Sequence, residues 1–495
     1  PPPLRRERGV LGTGKGRLHR GSRRIGWGQR RTSPNTERGA GGGDPTVTGT
    51  DMPETLSPDE ARILADIDRG RCHAVELQFT DVSGSLKGVA LPASQARGVL
   101  THGHWFDGSA LEGNARLAET DLRLFPDGRT WAIIPWGTGP TVARAICDIR
   151  TPDGSQYPAA PRAVLARAVD AALEVGLHLE VASEIEFFVF RVRPDGSRIP
   201  VDRAGYFDTN GDAGGALREE VSRALEAMGI AVDGTHHELA PGQHEIDLPP
   251  MPAVAAADAI VTAKYVVKSL ARMRGLAVTF MPKPLEGVAG SGLHLHQGVT
   301  MADGSDALAD PIDEYGLSAT GRGWIGGQLA HARAACAVLA PQVNSYKRIG
   351  RGFDAPSAIA WSRRDPSAML HVARPVLARK RVGGRRPVLV EIRHADPSCN
   401  PYLALAVAIA AGLDGVREGL DVPPPLVPGD SRSVAADALP VSLGEALTEL
   451  AWDGIVRDAL GTHVHDRLIT VSEQEWQAYK SHVTAWEVAR SFDAS

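Results

Sequence analysis

The sequence predicts an α+β protein with two folded parts, a small, mostly β domain and a larger domain in which helices alternate with strands. Three observations carry that expectation. Strand-like stretches and turns dominate from His73 to Ile149, and helical periodicity takes over after the Thr151-Pro-Asp-Gly-Ser turn signal. A chain of 495 residues, 43% of them hydrophobic, also exceeds what one core usually supports.

Residues 1–52 are Arg/Gly/Pro-rich with almost no apolar periodicity, a composition that cannot offset its own ordering entropy. The expectation is a disordered extension, or sequence upstream of a start at Met52. A nucleic-acid-binding tail or transit peptide fits less well, because no amphipathic pattern is present. Ser57 before Pro58 reads as the N-cap of a short helix to about Arg69, and His73–Thr80 alternates as a strand before the Asp81-Val-Ser-Gly turn. The small domain is expected over 53–154 and the larger one over 155–495. Within the latter, helical patterns cover Ala160–Val175, Gly215–Met228, Val254–Arg274 and Gly326–Leu339.

Charge excludes one class of function. Residues 1–50 hold 11 Lys/Arg against Glu7, Glu37 and Asp44, a net charge of +8, which leaves −13 of the overall −5 on residues 51–495. The folded part is acidic and offers no basic footprint for nucleic acid. Cys72, Cys147, Cys336 and Cys399 are scattered and suggest neither a disulfide framework nor a zinc knuckle, which fits a cytoplasmic setting. Tyr402–Leu413, the longest apolar stretch, is shorter than the roughly 18–20 residues of a membrane span and reads as a buried helix.

The chemistry lies in polar residues on strand-like segments far apart in sequence. Glu184 and Glu186 are two residues apart, so they share one face of a strand while Ile185 and Phe187 share the other. Glu238 and Glu245 flank a Pro-Gly turn that could fold both toward one point, and His294 and His296 share a face after the glycines of Gly290-Ser-Gly. Glu391 lies farther on. Each motif alone has an ordinary reading as a solvated sheet edge, a surface hairpin or a satisfied histidine pair. Five carboxylates and an imidazole gathered together would need divalent cations, and such hard ligands suit Mg²⁺ or Mn²⁺ better than zinc. Arg348 and Arg393 then read as anchors for an anionic substrate. No P-loop is present, and Gly321-Arg-Gly-Trp-Ile-Gly, which matches G-x-G-x-x-G, lacks the βαβ context of a dinucleotide site; its glycines are expected to open a helix.

Taken in order over about 57–495, these segments resemble glutamine synthetase of the bacterial type I class. The resemblance rests on Phe79-Thr-Asp-Val-Ser-Gly-Ser-Leu-Lys, Phe106-Asp-Gly-Ser, Glu184-Ile-Glu-Phe-Phe, His237-Glu-Leu-Ala-Pro-Gly-Gln-His-Glu, Met281-Pro-Lys-Pro, Gly290-Ser-Gly-Leu-His-Leu-His, Asn344-Ser-Tyr-Lys-Arg, Glu391-Ile-Arg and Asn400-Pro-Tyr-Leu-Ala. It implies a β-grasp N-terminal domain, then a catalytic domain with a funnel-like β-sheet and surrounding helices, in a double hexamer with active sites between subunits. It implies ATP-dependent ligation of ammonia to the γ-carboxylate of glutamate through γ-glutamyl phosphate. One metal would be held by Glu186, Glu238 and Glu245, and the second by Glu184, His294 and Glu391. Arg348, Arg393 and Gly290 would hold glutamate, and Asp107 of a neighbouring subunit would receive ammonium.

The chain also departs from the family. Asp354 stands where a site-closing glutamate is usual, one methylene shorter, and three phosphate-clamp arginines align with Pro366, His371 and Leu389. Arg363, Arg364 and Arg386 could substitute by shifted register. The tyrosine adenylylation segment is missing between Pro423 and Leu439, so that control is not expected. Two other readings stay open: ligation of a polyamine or another amine, and a binding or regulatory relative that has lost turnover.

Overall fold

The computed structural model describes residues 57–111, 121–350, 352, 355–373, 387–428 and 437–494. Its first helix, α1 (Pro58–Asp68), begins where Ser57 and Glu60 form a reciprocal capping box and Pro58 supplies a pre-set first-turn φ. A six-stranded sheet follows, made of β1 (Ala74–Thr80), β2 (Leu86–Pro92), β3 (His104–Asp107), β4 (Asp121–Pro126), β5 (Ala132–Ile133) and β6 (Val142–Arg150). Its path runs β2-β1-β6-β4-β3, with β5 on β6 and α2 (Ala96–His102) joining β2 to β3. The pairing of β1 with β6 is parallel, while its pairing with β2 is an antiparallel hairpin through the Asp81–Ser85 turn.

The second sheet has nine strands. In chain order α3 (Pro161–Glu174) leads to β7 (Leu177–Val192), β8 (Arg198–Pro200), α4 (Gly215–Ala227), β9 (Gly234–His237) and β10 (Gln243–Pro252). Then come α5 (Ala253–Met273), β11 (Leu276–Thr279), β12 (Leu293–Met301), α6 (Ala319–Ala330) and α7 (Ala332–Leu339). Strands β13 (Ala358–Ser362), β14 (Ala368–Ala373) and β15 (Leu389–Ile392) complete the sheet. Helices α8 (Pro401–Glu418), α9 (Leu443–Trp452), α10 (Gly454–Leu460), α11 (Thr462–Ser481) and α12 (Ala485–Ser491) close the chain. The sheet order is β13-β14-β15-β12-β7-β10-β9, with β8 and β11 also on β7.

The long central strand β7 shows why the sheet has a dry side and a polar side. Leu177, Leu179, Val181, Ile185 and Phe187 are buried at alternate positions, and they pack with α3, α5 and α8 in the main core. Helix α8, the expected buried helix around Tyr402–Leu413, is apolar nearly all round and sits inside that core. Among the described residues no helix is long and apolar enough to cross a membrane.

The expected helices near 160–175, 215–228 and 254–274 form within two residues of their limits. The one expected over Gly326–Leu339 differs: α6 starts earlier, where the Ser318 hydroxyl accepts from the Gly321 N–H, and the helix breaks at His331. His331 hydrogen-bonds Asp453 and Asp414 at 2.7 and 3.0 Å, contacts from two other elements that anchor the break. The G-x-G-x-x-G glycines do open a helix, and a Cβ at Gly323 would crowd the Gly415 carbonyl of α8, as one at the adjoining Gly327 would the Ala411 carbonyl. They serve close helix packing.

Buried charge also joins the two sheets. Arg162 of α3 pairs with Asp127 at 2.6 Å, with Asp258 of α5 at 3.0 Å, and with Asp148 of β6. The Tyr402 hydroxyl donates to the same Asp258 at 2.6 Å.

Candidate active site

Strand register assembles the polar face row by row. In one row His236, Glu245 and Glu186 are partners across β9, β10 and β7; in the next Asp247, Glu184 and His294 are partners across β10, β7 and β12. A third row aligns His296, Glu391 and His371 across β12, β15 and β14. Directly opposite residues of antiparallel strands share a face and stand about 4.5–5.5 Å apart at Cβ. The Pro241-Gly242 turn then brings Glu238 back beside Glu245, where His236 lies within 3.5 Å of the former and 3.6 Å of the latter.

All six expected metal ligands are thus on one surface. His294 Nδ1 lies 2.8 Å from Glu184 and 3.7 Å from Glu391, and its Nε2 lies 3.9 Å from Glu186. Donor atoms of Glu184, His296 and Glu391 fall within 4.8 Å of one another, as do those of His236, Glu238 and Glu245. His236, Asp247 and His371 are additions that sequence reasoning missed, and His296, noted only as sharing a face with His294, joins them. Asp247 had a legible signal, its period-two spacing from Glu245 on an alternating strand. His236 had none, and His371 was marked only as a replaced clamp arginine, because only register places the two opposite carboxylates.

The electrostatics of the two ends differ. Burial and the carboxylates of Glu186 and Glu184 push Glu245 up to about 12, and burial with Glu186 raises Glu238. Burial also acts against Glu184, but His296 and His294 together outweigh it and hold that carboxyl well below its usual range. Glu391 is held down at about 2, with the His371 hydrogen bond the largest effect opposing burial. The end at Glu238 and Glu245 is therefore crowded with like charge that His236 offsets only in part. Asp247 Oδ1 is buried there without a hydrogen-bond partner. An orphaned hard oxygen beside mutually repelling carboxylates fits a divalent cation.

The expected substrate anchors flank this surface. Arg348 is buried, and its guanidinium donates to the Ala395 and Arg393 carbonyls, each at 3.0 Å. Arg393 lies 3.2 Å from Glu391 and donates to the Pro366 carbonyl at 2.9 Å. Gly290 offers its carbonyl to Gln243 Nε2 at 3.1 Å, and Gln243 also donates to Glu186 at 2.7 Å. A Cβ at Gly290 would strike the Pro282 carbonyl, so the loop closes this tightly only around glycine.

Other expected residues lie elsewhere. Asp107 ends β3 in the six-stranded sheet and accepts from the Ser109 N–H at 3.0 Å. Arg363 donates to the Tyr315 carbonyl, and its own carbonyl hydrogen-bonds His371; Arg364 is exposed on the same turn. Asp354 and Arg386 lie outside the described residues. An exposed aromatic pair, Tyr206 and Phe207, stands at the rim against His236, with ring centroids 5.7 and 4.5 Å away. Phe207 has a φ of 58°, an unusual conformation for a bulky residue next to a site.

A two-sheet α+β architecture with a hard-ligand face on its larger sheet defines the class. The family described as glutamine synthetase, catalytic domain, matches residues 158–491, and glutamine synthetase, beta-Grasp domain, matches 71–152. Among relatives, glutamine synthetase of Halobacterium salinarum is 40% identical over 465 residues, covering 90% of this chain and 99% of that protein. Glutamine synthetase of Thermus thermophilus is 42% identical over 448 residues, covering 87% of this chain and 98% of that protein. A solved structure described as "GmaS/ADP complex-Conformation 1" aligns with a TM-score of 0.77 at 29% identity, covering 87% of this chain and 99% of its own. Another, described as a novel glutamine synthase homolog, aligns at 0.73 with 27% identity, covering 85% and 97%. The chain belongs to the glutamine synthetase family, with a β-grasp domain followed by its catalytic domain.

Proposed function

We propose that this protein is a glutamate–ammonia ligase, which uses ATP to join ammonia to the γ-carboxylate of glutamate and releases ADP and phosphate. The observation that carries the reading is the convergence of Glu184, Glu186, Glu245, His294 and Glu391 in three rows, with Glu238 returned beside Glu245 by the turn, next to the buried guanidinium of Arg348. Full-length relatives named glutamine synthetase support it.

Glu186, Glu238 and Glu245 would hold one Mg²⁺ or Mn²⁺, and Glu184, His294 and Glu391 a second, with His236 and His296 close enough to orient or join them. Bound there, the ions would supply charge neutralisation for phosphoryl transfer. The protein's own groups do the positioning. Arg348 spends two of its five N–H donors on backbone carbonyls, so its plane is set before substrate arrives and it can hold a carboxylate without reorganising. Arg393, tied to Pro366 and Glu391, gives a second cationic contact, and Gly290 lets the loop backbone approach closely. Phosphorylation of the γ-carboxylate turns a poor leaving oxide into phosphate, after which the amine attacks. Water must be excluded at that stage, because an acyl phosphate hydrolyses.

Asp107 from a neighbouring subunit of a double hexamer would receive ammonium, and Asp354 would close the site. Arg363, Arg364 and Arg386 would stand in for the clamp arginines replaced by Pro366, His371 and Leu389. The domain limits 53–154 and 155–495, with 1–52 as an extension, and a cytoplasmic location complete the proposal. A second reading, ligation of a larger amine, is consistent with the structural likeness to GmaS, while those three replacements motivate a binding or regulatory role. Phosphate release from ATP, with Mg²⁺ and glutamate, tests both. Release driven by ammonium supports the first, and release driven only by putrescine, spermidine or ethanolamine replaces it with the second. No release with any amine overturns both and leaves a binding or regulatory role.

A further inference from the structure

Away from the carboxylate face, a cleft of about 750 Å³ opens between β1, β2, α5 and the segments 279–281 and 397–398. Its charge is one-sided. Lys264, Lys268 and Arg272 recur at every fourth position of α5 and so share one side of the helix; Lys87 of β2 also lines the cleft, but it is paired with Asp81 at 3.3 Å. Glu76 is the one carboxylate in the lining, and it accepts from Gln78 at 2.9 Å and from the Tyr265 hydroxyl at 3.4 Å.

The α5 ammonium groups are held by neighbours that cannot neutralise them. Lys264 donates to the Pro397 carbonyl at 2.6 Å, and Lys264 and Lys268 stand 5.8 and 5.5 Å from the centroid of the Phe280 ring. Burial pushes the Lys264 ammonium down to about 8, outweighing the pull of Asp396, as expected of a desolvated cation. A pocket that keeps several cations together at that cost is suited to an anion carrying more than one charge.

The cleft shares a wall with the candidate active site. Phe280 and Met281 line it, and the next residue, Pro282, accepts from the Ser291 N–H at 2.8 Å. The Lys283 N–H then donates to Asn344 at 2.7 Å, four residues before Arg348, while Gly290 and Gln243 lead to Glu186. The residue that packs against Gly290 therefore directly follows the last residue of the cleft wall.

We infer that the cleft is a second ligand site, binding a small oxyanion with two or more charges, and that its occupancy tunes glutamate binding through the 280–283 strap. The tuning half rests on the glutamate–ammonia ligase reading; the binding half does not. Calorimetric titration of the full chain with inorganic phosphate, citrate and AMP tests binding and separates the possible sources of the charge. The Lys268→Glu/Arg272→Glu variant is expected to bind the tightest probe about tenfold more weakly, because attraction is converted to repulsion. Glu245→Ala should bind it normally.

Equal binding by the charge-reversed variant, no binding of any probe, or loss only in Glu245→Ala overturns the site. Circular dichroism checks the variant's fold, and Lys268→Gln, which removes one exposed charge, repeats the comparison if the double variant unfolds. In the wild-type enzyme the bound probe is expected to shift the glutamate KM about fivefold with kcat little changed, a shift lost in Lys268→Glu/Arg272→Glu. A KM unmoved at saturating probe overturns the tuning. If the protein shows no turnover, the titration still decides the site.

Discussion

The Arg162 junction and the Glu238–Glu245 end of the carboxylate surface both bury several charges, yet they treat them in opposite ways. Arg162 sits among Asp127, Asp148 and Asp258, with the Tyr402 hydroxyl completing Asp258, so the charges largely answer one another. Glu245 is buried among Glu186, Glu184, Asp247 and Glu238, and repulsion and burial together push it up to about 12. Buried charge that finds its partners within the chain is scaffold. Buried like charge left without them marks a place completed by a ligand.

Substitutions should separate the two regions sharply. Glu245→Ala is expected to lower ATP-dependent turnover by on the order of 10³-fold or more, the scale for losing a group that stabilises developing charge, without lowering the melting temperature of metal-free protein. Near-normal turnover in that variant would break the two-metal assignment. Arg162→Met should do the reverse, destabilising the fold by about 3–5 kcal/mol because it strands buried carboxylates. Denaturant unfolding reads this directly, and a change below about 1 kcal/mol would show the junction to be dispensable.

Cation dependence sharpens the contrast. Mg²⁺ at about 100 times its Kd is expected to stabilise the wild type by roughly 2.7 kcal/mol, and Glu245→Ala much less. Equal stabilisation of both proteins by Mg²⁺ in thermal scans would place the binding elsewhere.

The smallest expected effect belongs to His331, a mixed case with one imidazole between two carboxylates. Its hydrogen bond to Asp453, then that to Asp414, raises its pKa above 6.5. The stabilisation is therefore fully present below the unfolded pKa of about 6.5 and is lost as pH rises through the higher folded value. His331→Gln should cost about 1 kcal/mol at pH 6 and little at pH 9, measured by melting curves across that range. A pH-independent difference would mean the imidazole acts only as a packing group.

Much of the site was legible because it depends on local rules. Period two puts Glu184 and Glu186 on one face whatever the strand pairs with, and Pro241-Gly242 makes the return that brings Glu238 to Glu245. The resemblance in ordered motifs named in advance six residues that register and the turn bring onto one surface. The pairing of His236 with Glu245 and of His371 with Glu391 was invisible because each depends on a partner in a neighbouring strand, nine and twenty residues away in sequence. The α6 start was readable at Ser318 but was masked by glycines whose helix-breaking tendency is overridden by packing on α8.

The sequence by itself determined which faces are polar, where caps and turns fall, and which family's motifs are present, since these follow from periodicity, side-chain hydrogen bonding and residue chemistry. Tertiary structure alone decided the register of β7, β10, β12 and β15, the break at His331 and the basic cleft beside α5. Those depend on contacts between segments distant in the chain, where a slip of one residue would turn every strand side chain to the opposite face.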